Sequence, residues 1–305
     1  MDQFLLIALN GLTLAAVYFL VASGLTLIFG LMRVITMAHG TGYLLGGYVG
    51  YLVARESGNW FLGALCGALA VGLLGVIIHQ VLIRRFQDDD MRVALITLGV
   101  ALIGTDLMLA LPFGSSATQV PIPQELQVPV PLPLVGEYPV IRILILGAAI
   151  VVGVALTLFI NKTRVGSIVR AGVDDSQMTS ATGVNVRVVF AAVFALGSAL
   201  AGFAGSLYAS QLTYIEPAQF GISLSVLAVT IVVLGGMRAP IGAFIGAAVL
   251  VAIPEVFRQF ADWRLLFYGV LLLLLILFRP QGLWSRFAVV DRIIPKLRRK
   301  ERSAS

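Results

Sequence analysis

Apolar runs of about 20 residues recur from one end of the chain to the other, and no other feature limits the possible folds as much. A bilayer core of roughly 30 Å is crossed by a helix of that length, whereas the strands of a membrane barrel would read as alternating segments of about 10 residues separated by turns. That alternation does not dominate here, so the pattern predicts an all-α, polytopic helical bundle of about 8–10 transmembrane helices. The expected spans are 4–31, 40–54, 60–83, 93–111, 140–160, 188–209, 222–234, 241–256 and 265–278. Composition agrees: 59% of the 305 residues are apolar, only 12% are charged, and the mean hydropathy is +0.99, which excludes an ordinary soluble domain. The first run lacks a basic n-region and is longer than a signal peptide's apolar core, so it is read as a span of the mature chain.

Charge sets the expected orientation. Following the chain through these spans puts Arg33, Arg84, Arg85, Arg92, Lys162, Arg164, Arg170, Arg187, Arg238 and the basic tail 280–305 on one side, against Arg55, Arg142, Arg258 and Arg264 on the other. Lys and Arg are retained in the cytoplasm, so the C-terminus is expected inside and the N-terminus outside. The tail, with the net charge of +6, suits an anionic lipid surface better than nucleic acid. The proline-rich stretch 112–139 falls outside, where its prolines block a helix and favour extended backbone, as a loop that could meet a soluble partner.

Single residues carry less. Cys66 lies in a Gly/Ala-rich run and excludes an internal disulfide. In "FALGSALAGFAGSLY", Gly197, Ala201 and Gly205 recur at every fourth position, as do Ser198, Gly202 and Ser206, a spacing that lets helix backbones approach closely in lipid. Asp106 and Glu255 sit toward outer span ends and read as interfacial; a proton relay at Asp106 is the alternative. His39 and His79 have no acidic partner at a metal-binding spacing, so no metal site is expected, and no nucleotide-binding motif occurs. If ATP drives this protein, another polypeptide hydrolyses it.

The connector "TRVGSIVRAGVDDSQMTSATGVN", 163–185, is too elaborate for a plain link. Val165, Ile168 and Ala171 would share one face of a short helix, with a break at Gly172 or Val173 and Asp174 as the next N-cap. A second short helix would follow over 175–182, with Met178 and Ala181 on one side and Gly183 at the left-handed C′ position. Two aspartates at its centre favour docking into a groove of a cytoplasmic protein over lying on lipid, where basic residues prevail.

This connector resembles the coupling segment of LivH-type permeases of bacterial ABC importers for branched-chain amino acids, whose pattern Thr163, Gly166, Arg170, Ala171, Asp175, Gly183 and Asn185 match, with Thr179 where alanine is usual. "NGLTLAAVYFLVASGLTLIFGLMRVITMAHG", "LGGMRAPIGAFIGA" and "LFRPQGLW" resemble further blocks of the family in the same order. Departures fall at Thr36, Met37, Thr41, Arg238 and Ala239, which bear on the substrate: branched-chain amino acids, or urea, amides or small organic acids as in other members.

The resemblance implies one transmembrane permease domain over 1–305, with a cytoplasmic coupling segment at 162–186 that includes Met178. It implies a bacterial inner-membrane location and a non-catalytic subunit without cofactors of its own. Its partners would be a second, LivM-type permease, two ATPase subunits that bind ATP and Mg, and a soluble external or periplasmic binding protein. Polar groups in or beside spans, Asn10, Thr13, Ser23, Thr26, Thr36, His39, Thr41, Ser223 and Ser225, are the candidates for a solute path. Glu216, Arg258, Asp262 and Arg264 are the candidates for contact with the binding protein. A stand-alone proton-coupled carrier using Asp106 is the alternative from another class.

Overall fold

The computed structural model describes residues 2–32, 36–86, 89–110, 118–120, 128–132, 136–217, 221–236 and 240–256, with isolated positions at 123, 126, 270, 273, 274, 277 and 283. Helices dominate: α1 (Asp2–Met32), α2 (His39–Ser57), α3 (Trp60–Val81), α4 (Asp90–Ala110), α5 (Val140–Lys162), the short α6 (Arg164–Asp174) and α7 (Ser176–Ala181), α8 (Val186–Leu212), α9 (Ile222–Gly235) and α10 (Pro240–Val256). Among the described residues, α1, α3, α4, α5 and α8 are long and apolar enough to cross a membrane. The chain is a multi-pass membrane protein of all-α architecture.

Two expected spans, 222–234 and 241–256, are the arms of one broken unit: α9 and α10 meet at 112°. The break has local causes, since Gly236 takes φ +108°, a conformation open to glycine, and Pro240 begins α10, where its missing N–H costs nothing. The expected span 265–278 lies almost wholly outside the described residues, as do Arg238, Ala239 and the tail beyond 283, while Glu255 lies in the last turn of α10.

α8 is the hub, packing against α1, α2 and α3. The small-residue stripe makes this possible. A Cβ on Gly46 of α2 would overlap the backbone of Gly202, and one on Gly202 would come 2.5 Å from the carbonyl of Gly67 in α3. Three backbones therefore meet at Gly46, Gly67 and Gly202, a closeness that no residue with a side chain permits. Ser206 Oγ donates to Gly46 O at 2.9 Å, and Trp60 Nε1 donates to Ser210 Oγ at 2.7 Å, so polar groups fasten α8 to both neighbours. Gly197, on the other side of the stripe, lets α1 in at Gly24.

The described residues of the proline-rich stretch include short paired strands. β2 (Pro129–Leu132) and β3 (Gly136–Pro139) pair antiparallel, while β1 (Thr118–Gln119) pairs with β4 (Tyr214–Ile215), just beyond α8. These strands and the α2–α3 turn lie at one end of the bundle. At the other end Ile83, Val93, Ile160 and Val169 share a smaller apolar cluster with Met32.

Candidate functional site

The connector after α5 is braced by its own side chains. Thr163 N-caps α6: its Oγ1 accepts from Gly166 N–H at 3.0 Å and donates to Phe159 O at 2.6 Å. Arg170 Nη1 donates to Ile160 O, placing a cation on the carbonyl end of α5, where the helix dipole favours it. Asp175 caps α7 by accepting from Met178 N–H at 2.9 Å, and Asn185 caps α8 by accepting from Val188 N–H at 3.4 Å. Gly183 takes φ +85°, the left-handed turn expected of it.

Two expectations shift by one residue. The cap is Asp175, not Asp174, because α6 runs on through Asp174. The buried face of α6 is Gly166, Val169 and Gly172, not Val165, Ile168 and Ala171. A Cβ on Gly166 would overlap the carbonyls of Phe159 and Ile160, while Gly172 packs closely on the side chains of Val186 and Phe190. Val165, Ala171 and Met178 are left exposed, Met178 at 69%. The connector is thus a preformed two-helix element whose free face is mixed apolar and polar.

A second constellation lies deeper. The start of α2 and the start of α9 converge: Gly40 N–H donates to Ser225 Oγ at 2.7 Å, and the same hydroxyl donates to Met37 O at 2.6 Å. A Cβ on Gly40 would overlap Gly221 O. α4 closes the third side, with Thr97 Oγ1 accepting from Met37 N–H at 3.1 Å and Thr41 Oγ1 donating to Ala101 O at 3.2 Å. His39 packs on Gly24 of α1, eight residues before the end of that helix, or about 12 Å along it. The starts of two helices, each the positive end of a dipole, therefore meet inside the bundle and not at its surface.

The model of the family described as branched-chain amino acid transport system, permease component, matches residues 7–278. The chain belongs to this family. It is 30% identical over 302 residues to the high-affinity branched-chain amino acid transport system permease protein BraD of Pseudomonas aeruginosa, covering 91% of this chain and 94% of the relative. LivH of Escherichia coli K12, of the same description, is 28% identical over 300 residues with the same coverage. LivM of that organism is 27% identical over 307 residues, 89% of this chain and 68% of the relative. No solved structure matches the chain.

As a permease subunit of an ABC importer, the chain divides the polar groups singled out in its sequence into separate sets. Thr36, His39, Thr41 and Ser225 come together at the convergence just described. Asn10 and Thr13 do not. Arg142 donates to Asn10 Oδ1 and lies 5.6 Å from the Tyr138 ring centre, and Thr13 Oγ1 is 2.7 Å from the Tyr138 hydroxyl, which donates to Leu9 O. Those contacts fasten α1 to β3 and α5 at the strand-bearing end.

Ser23 and Thr26 donate to carbonyls of their own helix, Leu20 O and Ala22 O, and Ser223 is exposed. Glu216 is half-buried beside β4, while Arg258, Asp262 and Arg264 lie outside the described residues. Asp106 is exposed on α4, and His79 is buried against Phe194. No cluster of metal-ligating side chains occurs among the described residues. Sequence reasoning missed Thr97 and Gly221; a lone threonine in the apolar run "ALITLGVAL" was the available signal for the first.

Proposed function

We propose that this permease carries branched-chain amino acids across a bacterial inner membrane as half of a translocation unit completed by a second, LivM-type permease. A soluble binding protein delivers the solute at the strand-bearing end, and two ATPase subunits, binding ATP and Mg, dock at the connector end. This chain hydrolyses nothing itself. The names of its relatives support the solute and the pairing, since both LivH-type and LivM-type permeases are similar to it over most of its length.

The observation that carries the coupling role is the connector: five side-chain and turn devices, at Thr163, Arg170, Asp175, Gly183 and Asn185, hold α6 and α7 rigidly to the ends of α5 and α8. When the ATPases close on ATP, a docked rigid element must move with them and carry both long helices with it, which switches access from one side to the other. Lys162, Arg164, Arg170 and Arg187 at this end, with Arg84 and Arg85 beside Ile83 of the shared apolar cluster, support a cytoplasmic placement. With α2 crossing as well, the N-terminus is then external.

Met178→Glu tests docking without touching a cap. In the reconstituted four-subunit complex with binding protein, the variant is expected to insert and co-purify with its permease partner but to lose leucine-stimulated ATP hydrolysis. Wild-type stimulation would defeat the docking role of α7.

A further inference from the structure

Several of the described helices turn a face outward, and the face of α4 differs from the others in chemistry. On α3, Phe61, Leu65, Leu69, Leu73 and Ile77 recur at every fourth position, all exposed and all apolar, so acyl chains cover them with no polar group left wanting. Ile143, Ile150, Val154 and Leu158 do the same on α5, around a bare Gly147. The outward face of α4 carries Leu95, Gly99, Leu102, Asp106 and Leu109, spaced alternately four and three residues apart and so aligned on one side of the helix.

Asp106 is the residue that acyl chains cannot cover. It is exposed and makes no hydrogen bond or ion pair with any described residue. It lies four residues before the end of α4, about 6 Å along the helix, and the apolar sequence runs on through Phe113. A carboxylate there is poorly solvated by lipid and sits near the carbonyl end of its helix, where the dipole opposes it. A cation on a neighbouring protein answers both. Two turns further in, a Cβ on Gly99 would meet nothing within 4 Å, whereas Gly46, Gly67 and Gly202 are each closed by a neighbour's backbone. That bare position lets a second helix approach closely in lipid. α4 packs chiefly on α2, which leaves its outward side free to receive one. A Cβ on Gly221 would come 3.0 Å from Thr105 Oγ1, so the start of α9 borders this region, and Ser223 there is exposed.

We propose that this face of α4 is the seam against the second permease, and that the partner places a lysine or arginine opposite Asp106. The same carboxylate decides which kind of partner fits. Two permeases of one transporter share an orientation in the membrane, so a two-fold axis between them runs along its normal and equivalent residues meet at equal depth. A second copy of this chain seated on α4 would set Asp106 against Asp106, and like charges held together in a seam repel. The partner is therefore a different chain, with a cation where this one has a carboxylate. This inference rests on the permease reading above.

The test uses the assembled transporter in its native membrane. p-Benzoylphenylalanine at position 102, in place of Leu102, is expected to give on illumination an adduct whose mass identifies the second permease. The same probe in place of Leu69 on α3 is expected to give none with it. Gly99→Leu and Asp106→Lys are each expected to lower the second permease recovered with the tagged chain about tenfold, the worth of a lost close contact or of a charge pair turned repulsive. Neither side chain makes a contact within the described chain that the change would remove, so both variants should insert and melt like the wild type in detergent.

Adducts of position 102 with lipid alone, or full recovery of the second permease with both variants, would overturn the seam and leave the importer standing. An adduct with a second copy of this chain would overturn the unlike partner. A wild-type chain that brings down neither a second permease nor ATPases would overturn the permease reading and the seam together.

Discussion

Ser225 holds the start of α2 by both faces, accepting from Gly40 N–H and donating to Met37 O across more than 180 residues of chain. Alanine at this position would leave a buried backbone N–H without a partner, at a cost of about 1–3 kcal/mol. Gly40→Ala is expected to be worse, because its Cβ would overlap Gly221 O and push the two helix starts apart. Thermal unfolding of the detergent-solubilised chain should rank wild type above Ser225→Ala and Ser225→Ala above Gly40→Ala; a Gly40→Ala melting with the wild type would contradict the close approach. That Thr36, His39, Thr41 and Ser225 are polar groups within apolar surroundings was legible in the sequence. Their convergence was not, because it depends on pairings between α2, α4 and α9 that no local pattern records. Asn10 and Thr13 looked equivalent to them by the same criterion, and only Tyr138 and Arg142, far along the chain, assign them to the opposite end.

At the scale of the element, the connector separates what local chemistry decides from what packing decides. Caps act over three or four residues, so the left-handed turn at Gly183 is legible locally and the cap of α7 is misplaced by one position, whereas Thr163 and Asn185 enter the sequence reading only through the family pattern and not as caps. The buried face of α6 was not legible, because Gly166 and Gly172 turn inward only where the carbonyl end of α5 and Phe190 of α8 press against them. This division has a consequence for Asp175. If it works as a cap, Asp175→Asn should keep leucine-stimulated ATP hydrolysis close to wild type, since the amide oxygen also accepts from Met178 N–H. Asp175→Ala should lose the cap's worth, about 1 kcal/mol, fray α7 and depress the stimulation. Equal loss in Asn and Ala variants would mean that the partner reads the carboxylate charge itself. Gly183→Ala should behave like the cap loss, because φ +85° costs an L-residue about 1–2 kcal/mol.

At the scale of the whole molecule, the two described ends of the bundle differ in kind. One end is tied by strand pairing, Thr118 opposite Ile215 and Gln119 opposite Tyr214, and by the Tyr138 and Arg142 contacts to α1. The other carries the capped connector and most of the described basic residues, among them Arg84, Arg85, Lys162, Arg164, Arg170 and Arg187. A tied end for a soluble donor and a jointed end for a motor is the arrangement the proposed importer needs, and it makes a prediction of sidedness that can be measured. Ser57, exposed in the α2–α3 turn, belongs to the strand-bearing end, and Ala181, exposed in α7, to the jointed one. In a Cys66→Ser background, Ser57→Cys should react with a membrane-impermeant maleimide in intact spheroplasts, and Ala181→Cys only after the membrane is opened. The reverse pattern would invert the molecule and put the connector outside, away from the ATPases proposed to dock on it. Reaction of both sites in intact spheroplasts would place both ends outside, which an odd number of spans between the two positions forbids; Ser57 and Ala181 are separated by α3, α4 and α5, so the topology stands or falls on that single comparison.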